Sequence, residues 1–572
     1  MSNQFQVSGH NPHALFTLKV HRGDGMSLLA MNWKAGRPPN DFAGFAIEYR
    51  EPGGHKFFPL QNRLCFPDAS GGVNPNRLST RFSPIQKFRW VHFPRNAEML
   101  GDFDYRVCPV FMSASGVLSY GDLQEVSIQL RRETYPGQLN VCFTRGFVSS
   151  QAFVDKYVVP GHGIETLIPD DAETGLTFVP THPKTKEALA WMGFEARSAI
   201  LEVLDQAIAD PTAQVRVVAY DLNEPGLVTR LERLGARLRV IVDDSDKHGL
   251  ATSGETQATQ RLIVSAGAAN VMRQHMGDLQ HNKTIVVDGT NVQAVVCGST
   301  NYSWRGFFVQ ANNAVVLRGA SSVTIFRAAF DAYWAHSDAG GFGKTGSAIF
   351  NDLGLEDIDA KVGFSPYAKK NALLATIAAD IADHTTSSLF YSLAFLYQTP
   401  GVVLDAIKKV TLDPDLFVYG ISDKRVGGLN VQLPDGKIAP MSPSALGKNV
   451  PEPFKSEPKG GSGARMHHKF VVIDFDKPTA RVYMGSYNFS ASADRKNGEN
   501  LLLITDRRIA VSYVVEALRI FDHYHFRVVQ ADAKKAKKTL SLQKPPTHAG
   551  EKPWFAKDYE DVRRIKDREL FA

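Results

Sequence analysis

Two segments of the 572-residue chain carry the same spaced set of reactive side chains. "HNKTIVVDGTNVQAVVCGSTNYS" begins at His281, and "MHHKFVVIDFDKPTARVYMGSYNFS" begins at Met466. Each reads His-x-Lys, four residues, Asp, a turn, an apolar strand and Gly-Ser-x-Asn. Two such copies in one chain indicate an internal duplication rather than a coincidence.

The residue types suit attack on an anionic phosphodiester. Imidazole can act as a nucleophile and can move protons near neutral pH, and ammonium groups can hold phosphoryl oxygens. On a strand, residues i and i+2 face the same side, so each copy presents one imidazole and one ammonium together. Two copies would therefore place two imidazoles and two ammoniums around one phosphate, with asparagine amides and serine hydroxyls as additional polar groups.

The elements that must position these residues are also repeated. Residues 215–245 and 388–423 both have the pattern of strand, loop, helix and strand, with Pro-Gly opening the helix. An alanine-rich helical stretch precedes each, and a helix with aromatic residues ends each half. Apolar strands that alternate with helices predict an α/β fold. We expect two such halves, at 138–340 and 341–530.

The paired motifs resemble those of the phospholipase D superfamily, the HKD phosphodiesterases, over roughly residues 186–529. The resemblance implies two pseudo-twofold-related α/β halves sharing one active site, and cleavage through a phosphohistidine that needs no metal or other cofactor. It also implies that His281 is the nucleophile and that His467 is the general acid and later the base, although pseudo-symmetry allows the reverse. In the family the aspartates orient a histidine, a role that would fall to Asp288 and Asp474.

The candidate site has a catalytic and a supporting set. The predicted catalytic residues are His281, Lys283, Asp288, His467, Lys469 and Asp474. The predicted phosphate-binding or supporting residues are Ser299, Asn301, Ser486, Asn488 and Glu499. The two copies differ at one position, because Glu499 stands where the family often has an acid and the matching residue of the first half is Asn312. His468 is expected to face away from His467, as a packed or a surface residue.

Residues 1–135 differ in pattern from the rest. Alternating apolar strands with turn signals resemble a fibronectin type III-like β-sandwich, with Trp33 and Tyr105 as core landmarks. Such a domain more often binds a protein partner than catalyses. The remaining residues, 531–572, are predicted to be a basic C-terminal tail, whose run at 533–546 could touch an anionic membrane surface or nucleic acid.

Composition, cysteine spacing and the Gly- and Pro-rich segments set further expectations. The net charge of +6 is compatible with anionic lipid or nucleic acid. No signal peptide or 20-residue apolar span is evident, which favours a cytoplasmic location. The four cysteines form no CxxC pair and are expected to be free thiols, although a Cys65–Cys108 bridge is an alternative. "GGFGKTGS" at 340–347 is expected to be a linker. The Pro- and Gly-rich segment at 433–465 is expected to be a surface loop or a mobile lid whose Lys455, Lys459 and Arg465 face an anionic substrate.

Three functions compete. The favoured one is a phosphodiesterase of the phospholipase D type that hydrolyses a phospholipid, and this choice depends on the resemblance. The second is a metal-independent nuclease of the same superfamily that acts on DNA or RNA. The third is an inactive binding module, which the two intact motifs disfavour. A monomer is plausible for all three.

Overall fold

The protein is described here by a computed structural model that covers residues 4–67, 77–94, 96–130, 133–146, 156–370, 372–422, 466–535, 537 and 539–572. The predicted lid at 433–465 lies outside the described residues. The chain forms two compact units. One contains the described residues of Met1–Arg132 and Val511–Ala572, and the other contains those of Glu133–Val431 and Pro440–Ala510.

The first unit contains two antiparallel sheets. One has the strand order β1-β2-β3-β6, and the other has the order β5-β4-β7-β8, with β9 also paired to β7. The strands are β1 (Gln6–Ser8), β2 (Phe16–Arg22), β3 (Ser27–Trp33), β4 (Phe42–Arg50), β5 (Phe58–Pro59), β6 (Arg89–His92), β7 (Asp102–Met112), β8 (Leu118–Tyr120) and β9 (Gln124–Gln129). Trp33 and Tyr105, the expected landmarks, both belong to the buried core of this unit. Its fibronectin type III-like identity stays a prediction.

The end of the chain packs into that same core, where the sequence suggested only a basic tail. Phe555 and Phe571 are fully buried. The indole of Trp554 donates a hydrogen bond to the carbonyl oxygen of Phe42 at 3.1 Å. Residues beyond 540 therefore form part of the first unit, because their aromatic side chains complete its apolar interior.

The second unit contains two seven-stranded sheets. Their strand orders are β10-β16-β15-β14-β11-β12-β13 and β17-β18-β23-β22-β21-β19-β20. The first sheet consists of β10 (Leu139–Phe143), β11 (Gln214–Ala219), β12 (Leu238–Val242), β13 (Val271–Arg273), β14 (Lys283–Asp288), β15 (Gln293–Gly298) and β16 (Asn313–Arg318). The second consists of β17 (Asn351–Asp352), β18 (Asp359–Ser365), β19 (Ser388–Leu393), β20 (Phe417–Ile421), β21 (Lys469–Ile473), β22 (Arg481–Gly485) and β23 (Glu499–Thr505).

Six strands have the same order in the two sheets, from β10 to β12 in one and from β18 to β20 in the other. In both, the strand that carries the His-x-Lys motif lies between the hairpin strand that follows it and the first strand of the parallel pair. The mixed α/β architecture predicted from the sequence is therefore present. Runs such as Ile285–Val287 supply the β-branched residues that favour a strand buried on both faces.

Helices connect and flank these strands. The long helices are α1 (Thr185–Ala209), α2 (Pro225–Leu234), α3 (Gly254–Ala266), α4 (Ala320–Ala335), α6 (Leu374–His384), α7 (Val402–Thr411), α9 (Arg507–Lys535) and α11 (Val562–Phe571), and the short ones are α5 (Ala339–Phe342), α8 (Ala491–Arg495) and α10 (Ala556–Glu560). The Pro-Gly opening noted in the sequence starts α2, where the Glu224 carboxylate caps the helix by accepting from the Leu227 N–H at 2.6 Å. The predicted linker at 340–347 overlaps α5, which begins one residue earlier.

All four cysteines are free and buried. The alternative of a Cys65–Cys108 disulfide is therefore wrong for this structure. Among the described residues, no helix combines the length and the apolarity needed to cross a bilayer.

Candidate active site

Two equivalent strands of the second unit deliver the reactive side chains. β14 begins at Lys283 and β21 begins at Lys469. Lys283 lies opposite Ala219, the last residue of β11, and Lys469 lies opposite Leu393, the last residue of β19. Each lysine and the histidine two positions before it therefore stand where the first parallel strand of their sheet ends.

The two motif histidines meet. The ring centroids of His281 and His467 are 6.3 Å apart, with the rings tilted by 69°. Each residue is 4% exposed, and both lysines are 1% exposed. The structure thus brings together the two imidazoles and two ammoniums that the sequence predicts, in a largely desolvated centre.

Each histidine is oriented by a residue of the opposite half. His281 Nδ1 lies 2.7 Å from Glu499 Oε2, and His467 Nδ1 lies 2.8 Å from Asn312 Oδ1. Glu499 and Asn312 are fully buried. Glu499 and Asn312 are the position at which the two motif copies differ. The two histidines therefore have equivalent partners of different charge, a carboxylate for His281 and an amide for His467.

The amide of Asn312 has one orientation that satisfies its neighbours. Its Nδ2 donates to the Gly306 carbonyl oxygen at 2.9 Å, which leaves Oδ1 as the acceptor facing His467. Ser299 Oγ also donates to Asn312 Oδ1, at 3.1 Å. His467 must therefore carry a proton on Nδ1, and its Nε2 presents a lone pair when the ring is neutral.

The two lysines are held by the backbone and by aromatic rings. Lys283 Nζ donates to the carbonyl oxygen of His281 and lies 4.6 Å from the centre of the Tyr220 ring. Lys469 Nζ lies 3.1 Å from His467 Nε2 and 5.5 Å from the centre of the Phe395 ring. An aromatic face stabilises an ammonium electrostatically, so these rings favour the charged form of each lysine beside the histidines.

Burial shifts the titration of these groups toward their neutral forms. Desolvation lowers the pKa of His281 to about 4, although the charge of Glu499 opposes this effect. Desolvation and the nearby lysines lower the pKa of His467 well below its usual value. Desolvation also lowers the pKa of Lys283 to about 7 and that of Lys469 well below the ordinary lysine value. Without substrate, both imidazoles are therefore neutral at neutral pH.

The Gly-Ser-x-Asn segments lie behind the histidines. Gly298 has φ of +127°, and a Cβ there would come within 2.6 Å of the Asn313 carbonyl oxygen, so the close approach of these strands requires glycine. Ser299 Oγ accepts from the Asn313 N–H at 3.0 Å. The equivalent Ser486 Oγ accepts from the Asn500 N–H at the same distance. Both serines therefore fix the strand that follows.

The motif asparagines each retain an unused acceptor. The Oδ1 atoms of Asn301 and Asn488 are buried and accept no hydrogen bond from the described residues. Buried polar atoms are normally paired, so these two equivalent atoms mark places where a water or a substrate donor would be stabilised.

The motif aspartates lie away from the histidines, contrary to the role that the family resemblance implied. Asp288 pairs with Arg327 at 2.7 Å. Asp474 accepts hydrogen bonds from the backbone N–H groups of Thr386 and Ser387 at 2.9 and 2.8 Å. The reason is geometric, since five residues of strand span about 17 Å. Both aspartates instead anchor the far ends of their strands.

Sequence reasoning missed the aromatic residues that flank the centre. The Tyr220 ring lies 4.6 Å from that of His281, and the Phe395 ring lies 6.0 Å from that of His467. Both follow the first strand of a parallel pair, a position that the repeat could have revealed. His468 is fully buried and its ring lies 5.8 Å from that of Phe143, so it is packed rather than at the surface.

A second polar cluster lies next to Tyr220, whose ring is 4.6 Å from that of His248. Asp221, His248 and Glu255 each place one potential ligand atom within 4.8 Å of the others, in the part of the chain that the structure describes. The sequence analysis predicted no metal site and did not single out these residues.

Comparisons with known proteins match parts of the chain to phospholipase D-like proteins. The family described as "Cardiolipin synthase, PLD-like domain" matches residues 204–334 and 441–521. A phospholipase D from Rickettsia prowazekii is 48% identical over 48 residues, which cover 8% of this chain and 22% of the relative. One from Rickettsia felis is 46% identical over a match of the same length. The chain thus spans about a fifth of the length of these curated relatives.

Solved structures show weaker similarity. The match to the phosphatidylserine synthase of Haemophilus influenzae covers 66% of this chain and 93% of the synthase chain, with 13% identity and a TM-score of 0.39. The phospholipase D family member Nuc of Salmonella typhimurium matches 29% of this chain and 96% of its own, with 17% identity and a TM-score of 0.19.

Proposed function

Because the chain carries a phospholipase D-like domain and belongs to the phospholipase D superfamily, we propose that it hydrolyses a phosphodiester bond of a phospholipid through a covalent phosphohistidine. The observation that carries this proposal is the pair of buried imidazoles, 6.3 Å apart, each with a lysine ammonium from its own motif. The choice of a phospholipid follows the names of the matching family and relatives. The two halves would form one pseudo-twofold site.

The partners of the two histidines support different roles for them. When an imidazole attacks phosphorus through Nε2, its ring becomes a cation that persists until water removes the phosphoryl group. A carboxylate stabilises such a cation, and Glu499 faces His281 Nδ1 at 2.7 Å. His281 is therefore the better nucleophile.

His467 would carry the proton in both steps. It must give a proton to the leaving oxygen and then take one from water, so neither protonation state should be strongly favoured. Its partner is the neutral amide of Asn312. A phosphate monoanion between the rings would offset the positive field of Lys283 and Lys469, raise the pKa of His467 and allow it to hold the proton for the leaving group.

The bonds then change in two balanced steps. In the first, His281 Nε2 forms a bond to phosphorus while the bond to the leaving oxygen breaks, and that oxygen takes the proton of His467. In the second, water loses a proton to His467 and its oxygen replaces His281 on phosphorus. Lys283 and Lys469 hold the phosphoryl oxygens throughout, and an alcohol in place of water would give transfer instead of hydrolysis.

Trapping the intermediate tests this proposal. With a substrate that has a good leaving group, His467→Ala needs little acid in the first step but lacks the base for the second. Intact-mass analysis should therefore show an added phosphoryl or phosphatidyl mass, and peptide mapping should place it on His281. His281→Ala should form no adduct, and His384→Ala, which changes an exposed histidine of the same unit, should turn over like the wild type.

The substrate is tested in parallel. Wild-type protein is incubated with vesicles of labelled phosphatidylcholine or phosphatidylethanolamine and, separately, with single- and double-stranded DNA. Histidine-dependent release of phosphatidic acid supports the proposal. Cleavage of DNA alone would replace it with the nuclease, and an adduct on His467 alone would reverse the roles. If folded protein forms no adduct and cleaves none of these substrates, the proposed function is wrong.

A further inference from the structure

We propose that Asp221, His248 and Glu255 form a binding site for a divalent transition-metal ion such as Zn²⁺ or Mn²⁺, separate from the paired histidines. One ligand atom from each residue lies within 4.8 Å of the other two. One imidazole with two carboxylates is a donor set that suits these ions.

The position of the cluster in the sheet favours a ligand site. Asp221 follows β11 closely, and the loop that carries His248 follows β12, the parallel neighbour of β11. Glu255 lies in the first turn of α3. In open α/β sheets the carboxyl ends of adjacent parallel strands are where ligands bind.

Asp243 orients the histidine without competing for a ligand. Its Oδ2 lies 2.7 Å from His248 Nδ1 and also accepts from the Ser245 N–H at 3.0 Å, while its Oδ1 accepts from the Gln280 N–H at 2.7 Å. With Nδ1 committed to this carboxylate, His248 turns Nε2 toward Asp221 Oδ1, 3.3 Å away. Metal-bound histidines are typically held in this way by a carboxylate on the other ring nitrogen.

The Glu255 carboxylate gives a separate observation that points to a ligand. Glu255 is 3% exposed, and its Oε1 accepts from the Leu222 N–H at 3.0 Å. No side chain among the described residues donates a hydrogen bond to this carboxylate. A carboxylate in a largely buried side chain beside a second carboxylate is costly unless a cation neutralises it.

One of the three separations between ligand atoms already suits a metal, and the other two lie within 4.8 Å. With metal–ligand bonds of about 2.1 Å, tetrahedral ligand atoms are about 3.4 Å apart. His248 Nε2 and Asp221 Oδ1, at 3.3 Å, already have this separation. The side chains of these two residues are 18% and 20% exposed, which leaves a path for the ion and for water as a further ligand.

The site would act on the active centre through one aromatic ring. The Tyr220 ring lies 4.6 Å from the ring of His248 and 4.6 Å from that of His281. A metal bound by Asp221, the next residue in the chain, would fix this tyrosine against the nucleophile. It would not contact the phosphate, so the cleavage chemistry remains that of the histidines and lysines.

Metal binding by the full chain tests the proposal. Protein stripped with a chelator is dialysed against Zn²⁺ or Mn²⁺, and bound metal is measured by mass spectrometry together with the shift in melting temperature. We expect one equivalent in the wild type and its loss in Asp221→Asn, His248→Ala and Glu255→Gln. The control is His275→Ala, which removes an exposed histidine paired with one aspartate, Asp244, and should retain the metal.

Each result decides the question. If the wild type binds neither ion, the cluster is only an ion-paired hydrogen-bond network and the proposal is wrong. Binding that survives all three substitutions would place the ion elsewhere. Should the variants fail to fold, pulsed electron paramagnetic resonance of Mn²⁺-loaded wild type must show coupling to one histidine nitrogen, and absence of that coupling would overturn the site. None of these results depends on phosphodiesterase activity.

Discussion

Glu499 Oε2 lies 2.7 Å from His281 Nδ1, although the two residues are 218 positions apart in the chain. The equivalent contact runs in the opposite direction, from His467 to Asn312. Each motif copy therefore supplies a reactive ring and the partner for the other ring. Neither half alone contains both reactive histidines or the partner that orients its own histidine.

Glu499→Gln should lower kcat by about 10²-fold. The glutamine oxygen can still accept a hydrogen bond from His281 Nδ1–H, but it cannot balance the positive charge of a phosphorylated His281 ring. The measurement is steady-state hydrolysis of whichever substrate the vesicle and DNA assays show to be cleaved. Glu173→Gln, which neutralises an exposed glutamate of the same unit, should be unaffected. A loss of less than about threefold in Glu499→Gln would contradict a role for charge at this contact.

Asn312→Asp should move the pH dependence of the second step. A carboxylate 2.8 Å from His467 Nδ1 would raise the pKa of that imidazole, which burial now holds well below its usual value. Hydrolysis of the adduct needs neutral His467. The acidic limb of the pH profile of adduct hydrolysis should therefore shift to higher pH. Single-turnover decay of the adduct across pH measures this effect. Asn312→Ala adds no charge and should not move the limb upward, so an upward shift in both variants would argue against electrostatics.

The stability of the second unit should fall as the pH falls from about 6.5 to about 4. His281 takes up its proton near pH 4 when folded but near pH 6.5 when unfolded, so the unfolded chain binds more protons in this window and gains stability as the pH falls. His281→Gln should remove up to about 3 kcal/mol of this acid-induced loss of unfolding free energy. Denaturant titrations across the window provide the test, and His384→Gln, an exposed site, should leave the pH dependence unchanged.

Phe555→Ala should destabilise the first unit by about 3–5 kcal/mol. This side chain is fully buried and its ring lies 5.9 Å from that of Phe42. Leu100→Ala is the matched control, because Leu100 is 89% exposed in the same unit and should change stability by less than about 0.5 kcal/mol. Equilibrium unfolding monitored in this unit distinguishes them. Equal effects would mean that the C-terminal segment does not contribute to the core.

The reactive centre could be predicted because its signal is local and duplicated. His281 and Lys283 are two positions apart, and the strand period places their side chains on one face. The same period explains why the aspartates were misjudged. Asp288 and Asp474 belong to the motif in sequence, yet an extended chain carries them about 17 Å from the lysines.

Contacts between distant segments leave no periodic pattern in the sequence. The partner of His281 comes from β23 and that of His467 lies just before β16, and only the folded sheets bring these elements together. The packing of Phe571 into the first unit is a similar case, since its backbone oxygen lies 2.6 Å from the ring of His21, 550 positions earlier. Local propensity cannot distinguish such a segment from a solvated tail.

The discontinuity of the first unit has a consequence for biosynthesis. Trp554 covers Phe42 and Phe88, but the ribosome adds it 512 residues after Phe42. At about 5–20 residues per second, the nine strands wait roughly 25–100 s for the segment that completes their core. During this delay their apolar surface is open to chaperones and proteases. A chain whose translation stops between the second motif and Trp554 would carry both catalytic motifs but an unfinished first unit, with apolar surface exposed on that unit.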